Sequence, residues 1–143
     1  MVTALYLAVH AMGCTEVDGG AVELSWKLRA ATGSEETFLS CDIGLTDTGR
    51  VTHIRLDWDV DGAGGFRQWR CEDDHGVTEF ELPEGQALLR ISPVCGSGAA
   101  ALDTYTAPAP EQRNVIAGNT VSLGAVELLL EVSSCQDRPC ICQ

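Results

Sequence analysis

Basic residues are scarce in this chain. It has 9 Lys and Arg residues against 21 Asp and Glu residues, which gives a formal net charge of -12. Nucleic-acid binders need clustered basic residues to displace counterions, so the composition argues against that class of protein. An acidic surface is also repelled by anionic lipid headgroups. The simplest interpretation is a self-repelling surface that keeps molecules apart, and the alternative is a cationic or divalent-metal partner.

Long apolar runs and known catalytic motifs are missing as well. No run reaches the roughly 18 apolar residues that a membrane span requires. The sequence has no nucleophile elbow, no zinc-protease motif and no phosphate-binding loop, so we do not predict an enzyme. His75 beside Asp73 and Asp74 is one remaining candidate for acid–base chemistry, and the carboxylate pair Glu79 and Glu81 is another. Both arrangements are more typical of a solvated turn or of an outward strand face.

Cysteine, by contrast, is abundant for a chain of 143 residues. Such usage is typical of oxidising compartments, where disulfides persist. An odd count leaves one cysteine over, and that cysteine needs its own explanation. The seven cysteines are Cys14, Cys41, Cys71, Cys95, Cys135, Cys140 and Cys142.

The first cysteine follows an apolar N-terminal run that ends in small residues, as secretory signals do. The segment Ala11–Cys14 resembles a bacterial lipobox, with Ala11 where lipoboxes usually carry Leu. The resemblance implies that Cys14 is lipidated and becomes the mature N-terminus, and that Thr15 directs the protein to the outer membrane. A start placed too late would explain the missing basic residues before Lys27. The alternative is a buried N-terminal strand with an incidental cysteine.

These boundaries predict three parts of the chain. Residues 1–13 are a signal-peptide remnant, residues 14–20 are a tether, and residues 21–143 are a single domain. Membrane attachment would then come only through the lipid on Cys14. The other six cysteines can all form pairs with one another.

Strict alternation of apolar and polar residues predicts strands in the domain. On Val51–Val60 the even positions from Ile54 onward are apolar and the odd positions from His53 onward are polar, which is the period of two of a half-buried strand. The stretch 51–95 contains four such runs, separated by turn residues, and predicts an antiparallel meander. Trp26, Trp58 and Trp69 fall in register with core positions, so we expect them to pack inside.

The last long run, Thr120–Val132, changes its apolar parity at Gly124, where a β-bulge would re-aim the side chains. About seven short strands with turns every 8–12 residues predict an all-β fold, a single antiparallel β-sandwich stabilised by disulfides. With its cysteines and a Leu82–Gly85 turn (LPEG) before a strand, the chain resembles transthyretin-like or immunoglobulin-like domains of uncharacterised bacterial lipoproteins. That resemblance implies a fold and supplies no activity.

Six cysteines allow fifteen disulfide pairings, and the sequence cannot choose among them. We favour Cys41 with Cys71, and two further bridges among Cys95, Cys135, Cys140 and Cys142 that tie the C-terminal tail to the sheet. The alternative is a zinc site, because the last three cysteines lie close together in the sequence. The paired spacings typical of zinc sites are absent.

The segment Asp57–Gly62 matches the opening of a calcium-binding loop, and Asp57, Asp59 and Asp61 would be the ligands. The match stops at the twelfth position, where Gln68 replaces the bidentate Glu. Calcium is therefore the one cofactor that we consider, and a solvated acidic strand end is the simpler interpretation.

The sequence as a whole predicts an exported, lipid-anchored protein of the cell envelope, at the outer membrane, in the periplasm or on the cell surface. We expect a binding or structural role with a protein or glycan partner. The alternative function is a calcium- or carbohydrate-binding accessory module.

Overall fold

The computed structural model describes residues 17–31, 38–43, 49–133, 135 and 139–143. These residues form two β-sheets of five strands each, with one hydrophobic core between them. The expected all-β, sandwich-like fold is confirmed. Ten strands lie within the described part of the chain, and six of them have five or more residues: β1 Ala21–Ala30, β2 Phe38–Leu39, β3 Val51–Val60, β4 Ala63–Arg70, β5 His75–Val77, β6 Gly85–Cys95, β7 Gly98–Ala99, β8 Tyr105–Thr106, β9 Glu111–Val115 and β10 Thr120–Leu130.

The first sheet is built on the pair β1 and β10. Its order is β2-β1-β10-β8, and β5 also pairs with β1. The β1–β10 pair is parallel, so the antiparallel prediction is wrong for the centre of this sheet. The alternation of apolar and polar residues indicates which residues face the core, but it does not indicate the direction of the neighbouring strand. The parallel direction of this pair could therefore not be predicted from the sequence.

The second sheet has the order β4-β3-β6, with β7 and β9 both paired to β6. All pairs in it are antiparallel. The β3–β4 hairpin closes through Asp61 and Gly62, whose φ angles of 52° and 87° are those of a tight two-residue turn. Gly64 and Gly65, which follow this turn, belong to β4.

The predicted meander of four consecutive antiparallel strands is wrong at its third strand. After β4 the chain passes through a short 3-10 helix, Cys71–Asp73, and crosses to the first sheet as β5. β6 then pairs directly with β3. Residues 78–84 form no strand, and Leu82 reaches Gly20 only through an isolated bridge. Thr78 and Leu82 are buried, but Phe80 is 46% exposed.

The core consists of the apolar faces that the alternation predicted. The even residues of β3 from Ile54 to Val60 are buried, as are those of β1 from Val22 to Leu28. The two faces are completed by β6 and β10, and the buried members are Val22, Leu24, Trp26, Leu28, Ile54, Leu56, Trp58, Val60, Ala87, Leu89, Val126, Leu128 and Leu130.

The bulge in β10 lies where the sequence placed it. Between the pairs Glu23–Ser122 and Ser25–Ala125, β1 has one residue and β10 has two. Gly124 takes a φ of 67°, which a residue with a side chain rarely adopts. Val121 and Leu123 before it and Val126 after it can therefore all face the core.

Two glycines allow tryptophan rings to lie directly on the backbone. A Cβ at Gly65 would be 2.4 Å from the ring of Trp58, and a Cβ at Gly76 would be 2.3 Å from the ring of Trp69. Trp69 also stacks with Trp26, with ring centroids 6.2 Å apart, and this contact joins the two sheets. The expected packing of all three tryptophans against the core is confirmed.

Candidate functional site

The disulfides account for the six cysteines from Cys41 onward. Cys41 is joined to Cys71, the pairing that the sequence analysis favoured, with Cα atoms 5.9 Å apart. Cys95 is joined to Cys142 with Cα atoms 5.2 Å apart, and Cys135 is joined to Cys140. Cys95–Cys142 ties the C-terminal tail to β6 as expected, and Ile141 is fully buried in the core. The expectation of a second bridge from tail to sheet is wrong, because Cys135 and Cys140 both belong to the tail. Cys14 lies outside the described residues.

The three aspartates of the calcium hypothesis do not converge. Both carboxylate oxygens of Asp57 accept hydrogen bonds from Nε of Arg55, at 3.0 and 2.9 Å. Asp59 accepts a hydrogen bond from the N–H of Gly62 and so closes the hairpin turn. No group of three or more His, Cys, Asp or Glu side chains within the described ranges is placed to hold a metal ion. Each of these two aspartates already has a structural partner.

The acid–base candidates are also separated by the fold. His75 lies on β5 and not in a turn, and it lines a cavity of about 220 Å³ on the first sheet. Asp74 lines a different cavity, of about 230 Å³. Glu79 and Glu81 share one cation, because Arg67 lies 3.5 Å from Glu79 and donates two hydrogen bonds to Glu81. The hydrogen bonds from Arg67 to Glu81 raise the pKa of Arg67.

The largest of the described cavities lies along the edge of β6. It has a volume of about 460 Å³, within the range of small-ligand pockets. One side is formed by β6 with Asp57 of β3, and the other by the segment after β7. Its lining residues are Asp57, Arg90, Ile91, Ser92, Leu102, Tyr105, Thr106, Ala107, Pro108 and Pro110. We call this cavity the β6 cleft.

The cleft exists because two short strands leave the middle of β6 unpaired. β9 pairs with residues 85–89 of β6, and β7 pairs only with Val94 and Cys95. Pro93 has no N–H to extend the β7 pairing, and Pro110 lies immediately before β9. Residues 90–93 therefore have a sheet neighbour on the β3 side alone.

The open edge presents the backbone of Ile91 to the cleft. Residues two apart on a strand direct their N–H and C=O groups to the same side. The C=O of Pro93 accepts a hydrogen bond from Ala100 of the segment after β7, at 3.4 Å, so this side is the open edge. Ile91 lies two residues before Pro93, so its N–H and C=O face the same open edge. The residues described after β7 make no backbone hydrogen bond to Ile91. One donor and one acceptor are thus available there.

The charges around the cleft leave one cation without a partner. Arg90 makes no ion pair or hydrogen bond within the described ranges, whereas every other arginine of those ranges is paired with a carboxylate: Arg29, Arg50, Arg55, Arg67, Arg70 and Arg113. The Asp57 carboxylate in the cleft is neutralised by Arg55, whose guanidinium also lies 3.9 Å from the centroid of the Phe66 ring. The cleft therefore has a guanidinium without a carboxylate partner in the described ranges, in a strongly acidic chain.

Tyr105 supplies a further donor. Burial raises the pKa of its phenol, and the nearby Asp57 carboxylate raises it further. The hydroxyl therefore stays protonated at neutral pH and can donate a hydrogen bond. The cleft combines the Arg90 guanidinium, the Tyr105 hydroxyl and the free backbone of Ile91 with apolar walls.

No residue of this cleft other than Asp57 was a candidate from the sequence. Residues 96–110 include β7, a 3-10 helix (Leu102–Thr104) and β8, and β9 begins at Glu111. The available signal was the pair Pro108 and Pro110 ahead of a strand, which marks an interrupted sheet edge.

Comparison of the chain with protein-family models, with curated proteins and with solved structures finds no match. No helix within the described ranges is both long and apolar enough to cross a membrane. What the fold establishes is a small all-β domain of two sheets that carries disulfide bonds.

Proposed function

We propose that this protein is an exported cell-envelope β-sandwich, anchored by lipid on Cys14, that binds a partner or supports the envelope. The observation that carries the proposal is the pairing of the cysteines. All six from Cys41 onward are joined to one another, which leaves Cys14 as the odd cysteine of the chain. A disulfide-rich fold fits an oxidising compartment, and an unpaired cysteine at a lipobox-like sequence has a chemical use there.

The distance from Cys14 to the sheet supports the same proposal. β1 begins at Ala21, seven residues after Cys14. An extended chain spans about 3.3–3.6 Å per residue, so seven residues reach roughly 25 Å at most. A domain on so short a tether would stay beside the membrane surface, with its net negative charge keeping it off anionic headgroups.

We also propose that the sandwich is of the transthyretin-like or immunoglobulin-like kind. Its support is the arrangement of two sheets around a tryptophan-bearing core and the turn at Leu82–Gly85 that leads into β6.

The anchor is tested by expressing the full-length gene, with its complete signal, in a bacterial host. We expect the mature protein to begin at Cys14, to carry the mass of a lipid, and to sediment with membranes. Cys14→Ser should release it into the soluble exported fraction with all three disulfides intact. Thr15→Asp is the matched control for sorting, and it should keep the lipid while moving the protein to the inner membrane. An unmodified Cys14 with residues 1–13 still attached would overturn the proposal.

A further inference from the structure

We propose that the β6 cleft is a binding site for the carboxyl end of an extended polypeptide chain. The last residue of that chain would pair with the backbone of Ile91, and its terminal carboxylate would bind Arg90 and Tyr105. The site deepens the binding role proposed above, but it lies in the folded domain and does not require the lipid. Its lining includes Asp57 of the calcium candidate but none of the acid–base candidates of the sequence.

The charge of the ligand follows from Arg90. A cation at the rim of a cleft, with no acidic partner in the described ranges, is complementary to an anion. The carboxylate that lines the cleft, Asp57, is hydrogen-bonded to the Arg55 guanidinium, and the two opposite charges of this pair cancel. The protonated hydroxyl of Tyr105 provides a second donor on the opposite wall. A carboxylate accepts hydrogen bonds from both groups.

The polypeptide nature of the ligand follows from Ile91. Its N–H and C=O lie on an open sheet edge, and an extended chain that adds to such an edge uses one backbone acceptor and one donor. Apolar walls from Leu102, Pro108 and Pro110 flank this edge and can contact the side chains of an added strand. Leu102 is 84% exposed, so it offers apolar surface that the protein itself leaves uncovered.

The end of a chain fits this edge better than a continuous strand. The gap covers only residues 90–93, between the β9 pairing at Leu89 and the β7 pairing at Val94. A strand that ran along β6 in both directions would collide with β9 or β7. A chain that stops in the gap avoids one of these collisions, and its terminal charge then lies near Arg90.

The test uses the full chain carrying Cys14→Ser, purified with its disulfides intact, so that a failed lipid anchor does not affect the result. The probes are two hexapeptides of alternating Thr and Val, identical except that one ends in a free carboxylate and the other in an amide. Binding is measured by isothermal titration calorimetry. We expect the free acid to bind at least roughly ten-fold more tightly than the amide, since loss of a charge-assisted contact of this kind weakens binding by that order.

Arg90→Gln should remove the difference between the two peptides. The substitution breaks no ion pair or hydrogen bond of the described structure, so we expect the fold to survive it. Arg70→Gln is the matched control: Arg70 is an exposed arginine of the same sheet whose ion pair with Glu72 spans 3.9 Å, and its loss should leave the discrimination unchanged. Tyr105→Phe should reduce the discrimination partly.

A second readout tests the backbone contact. Hydrogen exchange of the Ile91 amide should slow when the free-acid peptide is bound, and the amide of the exposed Gln68 on β4 should not change. Equal binding of the two peptides, no binding of either at millimolar concentration, or full discrimination in Arg90→Gln would each overturn the proposal. Competition by acetate at the same concentration as the peptide would also overturn it, because the site would then recognise a free carboxylate and not a chain end.

Discussion

The two ends of the sandwich are held by different kinds of interaction. At one end, which we call the cystine end, Val51 at the start of β3 lies opposite Cys95, and its N–H bonds to the C=O of Cys41. Two disulfides therefore meet beside this residue. The opposite end, the turn end, holds the starts of β1 and β10 and the turns at 61–62, 83–84 and 116–119. None of the three disulfides described reaches it.

Backbone hydrogen bonds take the place of disulfides at the turn end. Gly20 and Leu82 exchange two, the N–H of Ala21 donates to the C=O of Asn119, and the N–H of Gly118 donates to the C=O of Gly19. These contacts need the chains so close that no side chain fits at two positions. A Cβ at Gly19 would lie 2.8 Å from the Phe80 and Leu82 carbonyl oxygens, and a Cβ at Gly20 would lie 2.5 Å from Val115. One end thus depends on covalent bonds, and the other on close backbone packing.

The largest effect is expected from opening the cystine end. Replacing Cys95 and Cys142 together by Ala frees a loop of 47 residues, and the chain-entropy model gives a loss of about 4 kcal/mol of unfolding free energy. Equilibrium unfolding in urea measures it. The control is the double replacement of Cys135 and Cys140, five residues apart, for which the same model gives about 2 kcal/mol. Equal losses of unfolding free energy would contradict the expectation that Cys95–Cys142 stabilises the fold more than Cys135–Cys140 does.

At the turn end, Gly20→Ala should cost roughly 2–3 kcal/mol, because the added methyl overlaps a side chain and a carbonyl oxygen. A lower melting temperature of the Gly20→Ala protein with all disulfides intact would show that close packing at the turn end stabilises the fold in addition to the disulfides. Gly64→Ala is the matched control, since its nearest neighbour would be 3.5 Å away. A Gly20→Ala protein as stable as the unsubstituted one would contradict the close packing.

A smaller effect is expected from Thr78→Val. Thr78 is 5% exposed, and its hydroxyl oxygen accepts a hydrogen bond from the Val22 N–H at 2.9 Å. Valine has nearly the same shape and leaves that buried donor unsatisfied, at a cost of about 1–2 kcal/mol. Unfolding in urea and faster hydrogen exchange at the Val22 amide measure the loss. Thr120→Val, at an exposed position, should change neither quantity.

The smallest effect concerns the pH dependence of the cystine end. The backbone N–H of Glu72 holds the pKa of its own carboxyl below the ordinary value of 4.5, and Arg50 lowers it further. Because the folded-state pKa is lowered, this stabilisation is present above pH 4.5 and is lost as the pH falls through the folded-state pKa. In Glu72→Gln the loss of unfolding free energy on acidification should be shallower. An unchanged acid slope would show that the carboxylate adds nothing to stability.

Much of the fold could be predicted from the sequence, because local patterns report local geometry. The alternation in Val51–Val60 identified the buried face of β3, and the parity change at Gly124 identified the bulge in β10. Cysteine parity left fifteen disulfide pairings open, and the favoured partner of Cys41 is the observed one.

The rest depends on contacts between distant segments. Residues 75–77 pair with β1, and Gly76 leaves room there for the Trp69 ring, but no local pattern predicts this pairing. The β6 cleft arises where β7 and β9 both stop short, and of residues 90–93 only Pro93 carries a local signal of that gap. The function of Arg90 could not be predicted for the same reason: its distinction is the lack of a partner, which only the folded structure shows.

The parallel pairing of β1 with β10 has a consequence for the order in which the chain can fold. The centre of the first sheet joins residues about one hundred positions apart, and its second half does not exist until residues 120–130 have been made. Such long-range pairing closes late and slowly. A chain that crosses a membrane amino end first would therefore lack the centre of this sheet until residues 120–130 have crossed. The Cys95–Cys142 disulfide also has to wait for this part of the chain, because Cys142 lies twelve residues beyond the end of β10.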